Sequence, residues 1–433
     1  MTITRRDLLA GAAAAVGTAA ARALSAQLPP GMGKGGETTM PLASGNQPPD
    51  FPRKADFAIP AGLTYINGAY THPMPVAAAA AMRKYADARS SFQTDDATSG
   101  DMSRGAKATF ASLINAKPSE ISFIPNTSTG ENLVVNGLEI AEQARRGINV
   151  VTDALHFDGS ILNLLMLQRD RGLDLRIVMP RDNGARIDMS DMEKVIDRKT
   201  KLVEISLVAM YNGFQHDLKA VCDLAHAHGA YVYADIIQAA GASPIDVKAT
   251  GVDFAACASF KWLMADFGAG FLYAREELLD RVVHRSQRGY HSARDIATHF
   301  LPYDPPASTP FTWELGTDAS AHFETGSNAW GPITALSQSL PYIQQLGVAN
   351  IEAWRQPMLA RLRSEMPRLG FTPVTPEGTR SALLTFTFKD RAPLVEKLRK
   401  ANINVRVGAN FIRLSPSVYN DMDDIDRLLA ALA

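Results

Sequence analysis

The sequence predicts an α/β protein built around a mostly parallel central sheet. Short apolar runs bounded by polar residues recur along the chain, and such runs are typical of parallel strands buried on both faces. Amphipathic helical patterns separate the runs, which predicts right-handed strand–helix–strand units. Because 433 residues exceed what one hydrophobic core usually covers, we expect a large domain followed by a smaller α+β C-terminal domain.

The period of the apolar residues predicts each element. Continuous apolar runs predict strands at Ile121–Ile124, Gly147–Val151, Lys201–Ala209, Ala230–Ala234, Phe254–Phe260, Phe271–Tyr273, Ala382–Phe388, Ile403–Val407 and Phe411–Leu414. Helical periods predict helices at Val76–Ser90, Leu218–His228, Trp330–Leu346, Asn350–Arg363, Leu394–Lys400 and Met422–Leu432, and a further helix that begins near Asn126. Residues 275–318 are polar, with a Pro-rich run at Pro302–Pro310, which predicts an irregular loop region.

Changes in composition divide the chain into four predicted segments. They are an export signal (1–26), a Pro- and Gly-rich linker or N-terminal arm (27–60), the large domain (61–328) and the small C-terminal domain (329–433). In the first segment, Arg5 and Arg6 precede a weakly apolar, Ala-rich stretch, which is a twin-arginine pattern. This pattern predicts passage through the twin-arginine (Tat) export machinery to the periplasm. The alternative is a cytosolic protein with a basic, Ala-rich first helix.

Charge and cysteine content exclude several classes of function. The chain has 44 basic and 45 acidic residues, so we expect no nucleic-acid partner. Its two cysteines, Cys222 and Cys257, both lie in apolar patterns typical of buried free thiols. No spacing of Cys and His residues indicates a metal site.

The stretch from Tyr231 to Tyr273 concentrates residues suited to chemistry. One predicted strand ends at the carboxylate Asp235, and a second ends near the amine Lys261. Open α/β sheets bind ligands at the carboxyl ends of their strands. An amine and a carboxylate at that edge suit pyridoxal 5'-phosphate (PLP), since a lysine forms a Schiff base with it and a carboxylate pairs with its ring nitrogen. Taken singly, Asp235 could cap a turn and Lys261 could be solvated.

Several motifs in this stretch resemble a known family. Asp235-x-x-Gln238, Lys261-Trp262-Leu263 and the segments PIDV, GVDF and GAGFLY are similar to the class V aminotransferase family of fold-type I PLP-dependent enzymes. That family includes cysteine desulfurases and isopenicillin N epimerase-like proteins. The resemblance implies the fold-type I architecture, a bound PLP, catalysis by Lys261, contacts of Asp235 and Gln238 with the cofactor, and a homodimer.

Further cofactor contacts are implied residue by residue. Hydroxyl side chains open the helix after Asn126, where free N–H groups and the helix dipole favour an anion, although a capped helix alone has the same pattern. The resemblance implies that Thr127 and Ser128 hold the PLP phosphate. It also implies that His156 stacks on the pyridine ring, and that Ser327 reaches the phosphate of the neighbouring subunit.

The chain departs from the family pattern at three positions. Met210 stands where the family often has an Asn that contacts the cofactor, and Asn212 is the candidate to replace it. Ala258 and Phe260 stand where Ser and His are frequent, so Ser259 is the candidate phosphate contact.

The substrate contacts are predicted mainly from the C-terminal segment. By resemblance, Arg413 clamps the substrate α-carboxylate, a task that the planar guanidinium fork suits. Arg406 is a second cation nearby. Asn67 is a further candidate contact, although an Asn before Gly is also typical of a turn. Once freed, Lys261 is the natural base for proton transfer at Cα.

These observations leave three functional hypotheses open. The first is an aminotransferase- or epimerase-like enzyme that acts on the amino group or Cα of an amino acid. The second is a periplasmic enzyme that modifies an amino-acid residue of a peptide siderophore such as pyoverdine. The third is a PLP-fold binding protein without catalysis. Because no Cys lies between Arg406 and Arg413, the sequence argues against a cysteine desulfurase.

Overall fold

A computed structural model describes residues 50–93, 96–297 and 312–433 of the chain. The predicted export signal, residues 27–49 of the predicted arm, and the Pro-rich run at 302–310 lie outside the described residues. The segment boundaries at 60/61 and 328/329 remain predictions. Among the helices of the described residues, none is long and apolar enough to span a membrane.

A seven-stranded sheet forms the centre of the fold. The strands of all the sheets in the described residues are β1 (Thr64–Tyr65), β2 (Ile121–Ile124), β3 (Asn149–Asp153), β4 (Asp174–Val178), β5 (Thr200–Ser206), β6 (Tyr231–Asp235), β7 (Phe254–Ala258), β8 (Gly270–Ala274), β9 (Ala293–Ala297), β10 (Thr312–Leu315), β11 (Thr372–Pro373), β12 (Leu384–Thr387), β13 (Ile403–Asn404), β14 (Arg406–Val407) and β15 (Phe411–Leu414). The central sheet has the order β2-β8-β7-β6-β5-β3-β4, and only β8 runs antiparallel to its neighbours. This arrangement confirms the predicted α/β fold with a mostly parallel sheet.

Helices connect and cover these strands. They are α1 (Val76–Ser90), α2 (Asp96–Leu113), α3 (Thr127–Gly137), α4 (Ile140–Ala144), α5 (Asp158–Arg171), α6 (Met189–Val195), α7 (Leu218–Ala227), α8 (Val247–Thr250), α9 (Ala319–Phe323), α10 (Trp330–Leu346), α11 (Val348–Glu365), α12 (Arg391–Lys400) and α13 (Met422–Leu432). Helices α1, α10 and α13 begin and end where the sequence predicts them. Helices α10 and α13 each bury a repeated series of apolar residues, which explains why the sequence pattern set their bounds well.

Both faces of the central sheet are buried. Within β6, Val232 and Ala234 pack into one hydrophobic core, whereas Tyr233 between them packs into another. Successive side chains of a strand point to opposite faces, so the two cores lie on the two sides of the sheet. Double burial explains why these strands are continuous apolar runs rather than alternating ones.

A second, antiparallel sheet lies in the C-terminal part of the chain, with the order β11-β12-β15-β14. It packs into a third hydrophobic core that includes Phe386, Ile412 and Leu428. In this sheet Arg406 of β14 lies opposite Arg413 of β15. The short strand β1 joins this part of the chain through a parallel pairing with β13.

The predicted irregular region at 275–318 contains regular structure, which corrects the prediction. Strands β9 and β10 pair there as an antiparallel ribbon, with a shift in register at Glu314. Helix α9 follows directly. The polar composition hid this ribbon, because a strand that is not buried on both faces lacks a continuous apolar run.

Candidate active site

Asp235 and Lys261 meet at one edge of the central sheet. Strand β6 ends at Asp235, and its parallel neighbour β7 ends at Ala258, three residues before Lys261. Asp235 pairs in register with Ala256, so the two strands end side by side. Because parallel strands end at the same edge, the sheet topology itself brings the acid and the amine together.

A cavity of about 520 Å³ opens at this edge. Six of the residues proposed from the sequence line it: Thr127, Ser128, Asp235, Lys261, Arg406 and Arg413. The sequence analysis missed several other lining residues, including Tyr70, Phe157, Asp158, Tyr211 and Phe411. A signal for two of them was present, because Phe157 and Asp158 directly follow His156 after the end of β3.

Burial moves the pKa values of the central acid and amine toward neutrality. Asp235 is 4% exposed, and desolvation raises the pKa of its carboxyl to about 6 although the Ile237 N–H and Lys261 oppose this. Desolvation lowers the pKa of the Lys261 amine to about 8, opposed by Asp235 and assisted by the positive charge of Arg413. At pH 7.5 a pKa of about 8 leaves roughly a quarter of the amines neutral, compared with about one in a thousand at the ordinary value. Lys261 can therefore act as both nucleophile and base near neutral pH.

The N-terminus of helix α3 faces the same cavity. Asn126 caps the helix, with its side-chain oxygen accepting a hydrogen bond from the Thr129 N–H at 2.9 Å. The Thr127 hydroxyl accepts a hydrogen bond of 3.0 Å from the Ala258 N–H, which links the helix start to the end of β7. Free N–H groups and the helix dipole make such a terminus a site for an anion such as a phosphate.

Close packing holds helix α3 against the sheet. A Cβ atom added at Gly130 would lie 2.8 Å from the Ile124 side chain and 2.9 Å from Ala256. Only glycine allows helix α3 to lie this close to the sheet. This close packing sets the distance between the anion site and the end of β7.

Two arginines also line the cavity. Arg413 is 6% exposed; its Nη1 donates to the Met210 carbonyl at 2.7 Å, and its buried Nε has no hydrogen-bond partner among the described residues. Arg406 is exposed, and its guanidinium carbon lies 5.1 Å from the centre of the Tyr70 ring. Desolvation and the nearby Arg406 lower the pKa of Arg413 to about 10, so Arg413 remains charged at neutral pH.

His156 lies beside the cavity but does not line it. Its Nδ1 is 2.9 Å from the Ser206 hydroxyl, and Ser206 pairs in register with Asp235. Burial lowers the pKa of His156 to about 4, so the ring is neutral. Its buried Nε2 has no partner among the described residues, which leaves one ring nitrogen free beside the cavity.

Three of the proposed cofactor contacts are not among the residues that line the cavity. Ser259 donates to the carbonyls of Asp266 and Ala269, and Asn212 donates to those of Gly184 and Ala185. Gln238 donates to the Ala69 carbonyl and accepts from the Trp262 indole. The roles of Ser259, Asn212 and Gln238 as cofactor contacts therefore stay predictions.

The last two proposed residues lie in neighbouring cavities. The Asn67 amide donates to the Asn404 side chain at 3.0 Å and lines a groove next to the active site. Ser327 lines a separate cavity of about 280 Å³, where its hydroxyl lies 3.4 Å from that of Tyr290. Neither residue lines the cavity around Lys261.

Comparison with known proteins identifies the family. The family described as aminotransferase class-V matches residues 64–428. The chain belongs to this family. A cysteine desulfurase of Escherichia coli O8 is 29% identical over 338 residues, covering 74% of this chain and 79% of the relative.

Solved structures share the fold. The apo cysteine desulfurase of Thermococcus onnurineus NA1 aligns with a TM-score of 0.76 at 22% identity, covering 88% of this chain and 97% of that one. A C-DES variant with glycine covalently linked to its PLP cofactor aligns with a TM-score of 0.73 at 20% identity, covering 89% and 99%.

These relatives correct one conclusion drawn from the sequence. The argument against a cysteine desulfurase is wrong, because the curated relatives are cysteine desulfurases. That argument used one short segment, residues 407–412, which lacks Cys. The absence of a cysteine from this one segment does not determine the reaction, because all the residues around the cavity together decide which substrate bond breaks.

As a class-V family member, the chain uses PLP as its cofactor. The residues in the cavity fit this group. Lys261 would supply the amine, Asp235 the carboxylate for the ring nitrogen, and the start of helix α3 with Thr127 and Ser128 the anion site. The chain is thus a PLP-dependent, class V aminotransferase-like enzyme.

Proposed function

We propose that this enzyme acts on the amino group or Cα of an α-amino acid or amino-acid moiety. One observation above all supports this: two arginines line the same cavity as Lys261 and lie across from each other on adjacent strands. Such a pair suits a carboxylate, which a guanidinium binds through two parallel hydrogen bonds. A carboxylate held there places the neighbouring Cα toward the amine.

Each residue has a defined task in this proposal. The bound cofactor withdraws electrons from the substrate Cα, which weakens the bonds to that carbon. Lys261 takes or returns a proton through its Nζ atom, and its pKa of about 8 suits both directions. Asp235 keeps a negative charge at the base of the cavity, while Phe157, Phe260 and Phe411 limit access of water.

A titration of the PLP-loaded enzyme with a substrate panel tests the proposal. The panel should include cysteine, because curated relatives are cysteine desulfurases. It should also include alanine, glutamate, serine and short peptides with a free N-terminal amine. We expect the visible absorbance of the bound cofactor to change with compounds that combine a free amine and a carboxylate. An absorbance that no amine-bearing compound changes would contradict the proposal.

A second candidate function is the modification of an amino-acid residue in an exported peptide such as a siderophore of the pyoverdine type. The twin-arginine pattern at Arg5 and Arg6 favours it, because Tat export delivers a folded protein with its cofactor to the periplasm. In that case, peptides with a free N-terminal amine change the absorbance more strongly than the free amino acids do.

We also propose that the enzyme is a homodimer with shared sites. Ser327 lines a cavity of its own rather than the one around Lys261, which suits a residue that serves the neighbouring subunit. Mixing inactive Lys261→Ala and Ser327→Ala chains tests this. Shared sites predict recovered activity in the hybrid, whereas independent subunits predict none.

A further inference from the structure

A groove of about 420 Å³ lies directly beside the active-site cavity. Residues of helix α12 and strands β13 and β14 line it. The groove and the cavity share two residues, Tyr70 and Arg406. Because Arg406 lies against the Tyr70 ring, this exposed pair forms the boundary between the two spaces. A ligand that passes this pair would occupy both.

The groove is lined by apolar side chains together with polar and positively charged ones. Val395, Val405 and Val407 are half-buried lining residues. Arg391 lies at one side, with its Nε donating to the Gly408 carbonyl at 3.1 Å, and Arg406 lies at the boundary with the cavity. Such a surface suits a chain that is partly apolar and carries negative charge.

Neither of these two arginines is neutralised by the protein. Within the described residues, Arg391 and Arg406 form no ion pair with a carboxylate, and Arg406 is further repelled by Arg413. A third arginine of the groove, Arg399, differs because Glu396 holds it at 2.8 Å. Unpaired cations along one groove raise the local concentration of anions and guide them to the site.

We propose that this groove binds an anionic extension of the substrate, so that the preferred substrate is an α-amino acid whose side chain carries a short acidic peptide. The inference rests on the proposed function, since the amine and the α-carboxylate of this amino-acid moiety must reach Lys261 and the two arginines of the cavity. The amino-acid moiety enters the cavity past Arg406 and Tyr70, and the acidic side chains of the extension lie along the groove toward Arg391.

Calorimetric titration of the PLP-loaded enzyme with two tetrapeptides tests the proposal. The acidic probe is glutamate with its γ-carboxyl joined to Glu-Val-Glu, and the basic probe is glutamate joined in the same way to Lys-Val-Lys. Wild type should bind the acidic probe more tightly, and higher salt should weaken this binding. Arg391→Glu should weaken acidic-probe binding by about tenfold or more and improve binding of the basic probe. The control Arg368→Glu changes net charge equally but replaces an exposed arginine paired with Glu365, so it should bind like wild type.

The outcomes separate this inference from the proposed function. Equal affinities of wild type and Arg391→Glu for the acidic probe would overturn the proposal that the groove binds the extension. A loss of affinity in Arg368→Glu as large as that in Arg391→Glu would overturn it too. If free amino acids change the cofactor absorbance but the acidic probe does not bind, only the proposal for the groove is overturned, and the proposed function stands. If Arg391-dependent binding persists while neither amino acids nor peptides change the absorbance, the proposed function is overturned instead.

Discussion

Arg406 and Arg413 lie directly opposite each other on adjacent antiparallel strands, and both line the cavity that contains Lys261. Like charges in this position are destabilising, so the pair is costly in the absence of a counter-charge. No carboxylate of the described residues pairs with either arginine, whereas an anionic ligand would neutralise both. This relationship is the main structural reason for expecting a carboxylate-bearing substrate.

Replacement of Arg413 should therefore weaken substrate binding without loss of the cofactor. A charge-assisted hydrogen bond contributes about 1.5–3 kcal/mol, so Arg413→Ala should raise the substrate KM or Kd by about 10- to 100-fold. Arg413→Lys keeps the charge but not the fork, and it should recover only part of the loss. An unchanged Kd in Arg413→Ala, measured from the cofactor absorbance, would remove this residue from the substrate site.

The pH dependence of cofactor loading reports the pKa of Lys261. The neutral amine is the reactive form, so the loading rate of the apo protein should rise with pH and level off above about 8. Asp235 raises this pKa and Arg413 lowers it. Asp235→Asn should thus move the midpoint to lower pH, and Arg413→Ala should move it to higher pH. If the loading midpoints of both variants equal the midpoint of the wild type, this electrostatic account is contradicted.

Trp262 supports the turn that holds Lys261. Its indole donates to the Gln238 side chain at 3.0 Å, and the buried Arg355 lies 5.4 Å from its ring centre. Trp262→Phe removes the donor and part of the packing, so we expect a loss of about 2 kcal/mol in the free energy of unfolding. The control Trp313→Phe alters a 64% exposed side chain and should change stability little. Equal urea midpoints for the two variants would show that Trp262 has no supporting role.

Export is tested in the full-length chain. If Arg5 and Arg6 direct the protein to the Tat machinery, the double variant Arg5→Lys, Arg6→Lys should remain in the cytosol. Arg22→Lys lies outside the twin-arginine pair and should leave export intact. Cell fractionation that finds the double variant in the periplasm at the wild-type level would rule out this mode of export.

The sequence was sufficient to predict the sheet and the edge at which the acid and the amine meet. Buried parallel strands have a strong local signal, and Asp235 and Lys261 lie just where two of them end. The same reasoning failed for β9 and β10, whose polar residues resemble a loop.

Side-chain directions were harder to predict, because they depend on distant partners. The Asn212 amide binds carbonyls in a turn 27 and 28 residues earlier in the chain, and no local pattern reveals this. Ser259 donates to the carbonyl of Ala269, ten residues later. The exclusion of a desulfurase failed for a related reason, since it relied on one segment instead of on the assembled cavity.

The central claim is that Lys261 is the residue that binds PLP covalently. Borohydride reduction of the PLP-loaded enzyme, followed by peptide mass spectrometry, tests it most directly, because reduction fixes the cofactor to its lysine. We expect the added mass on the peptide that contains Lys261, and no added mass in Lys261→Ala. Added mass on another lysine of the wild type, or a wild type that retains no cofactor mass, would contradict the account.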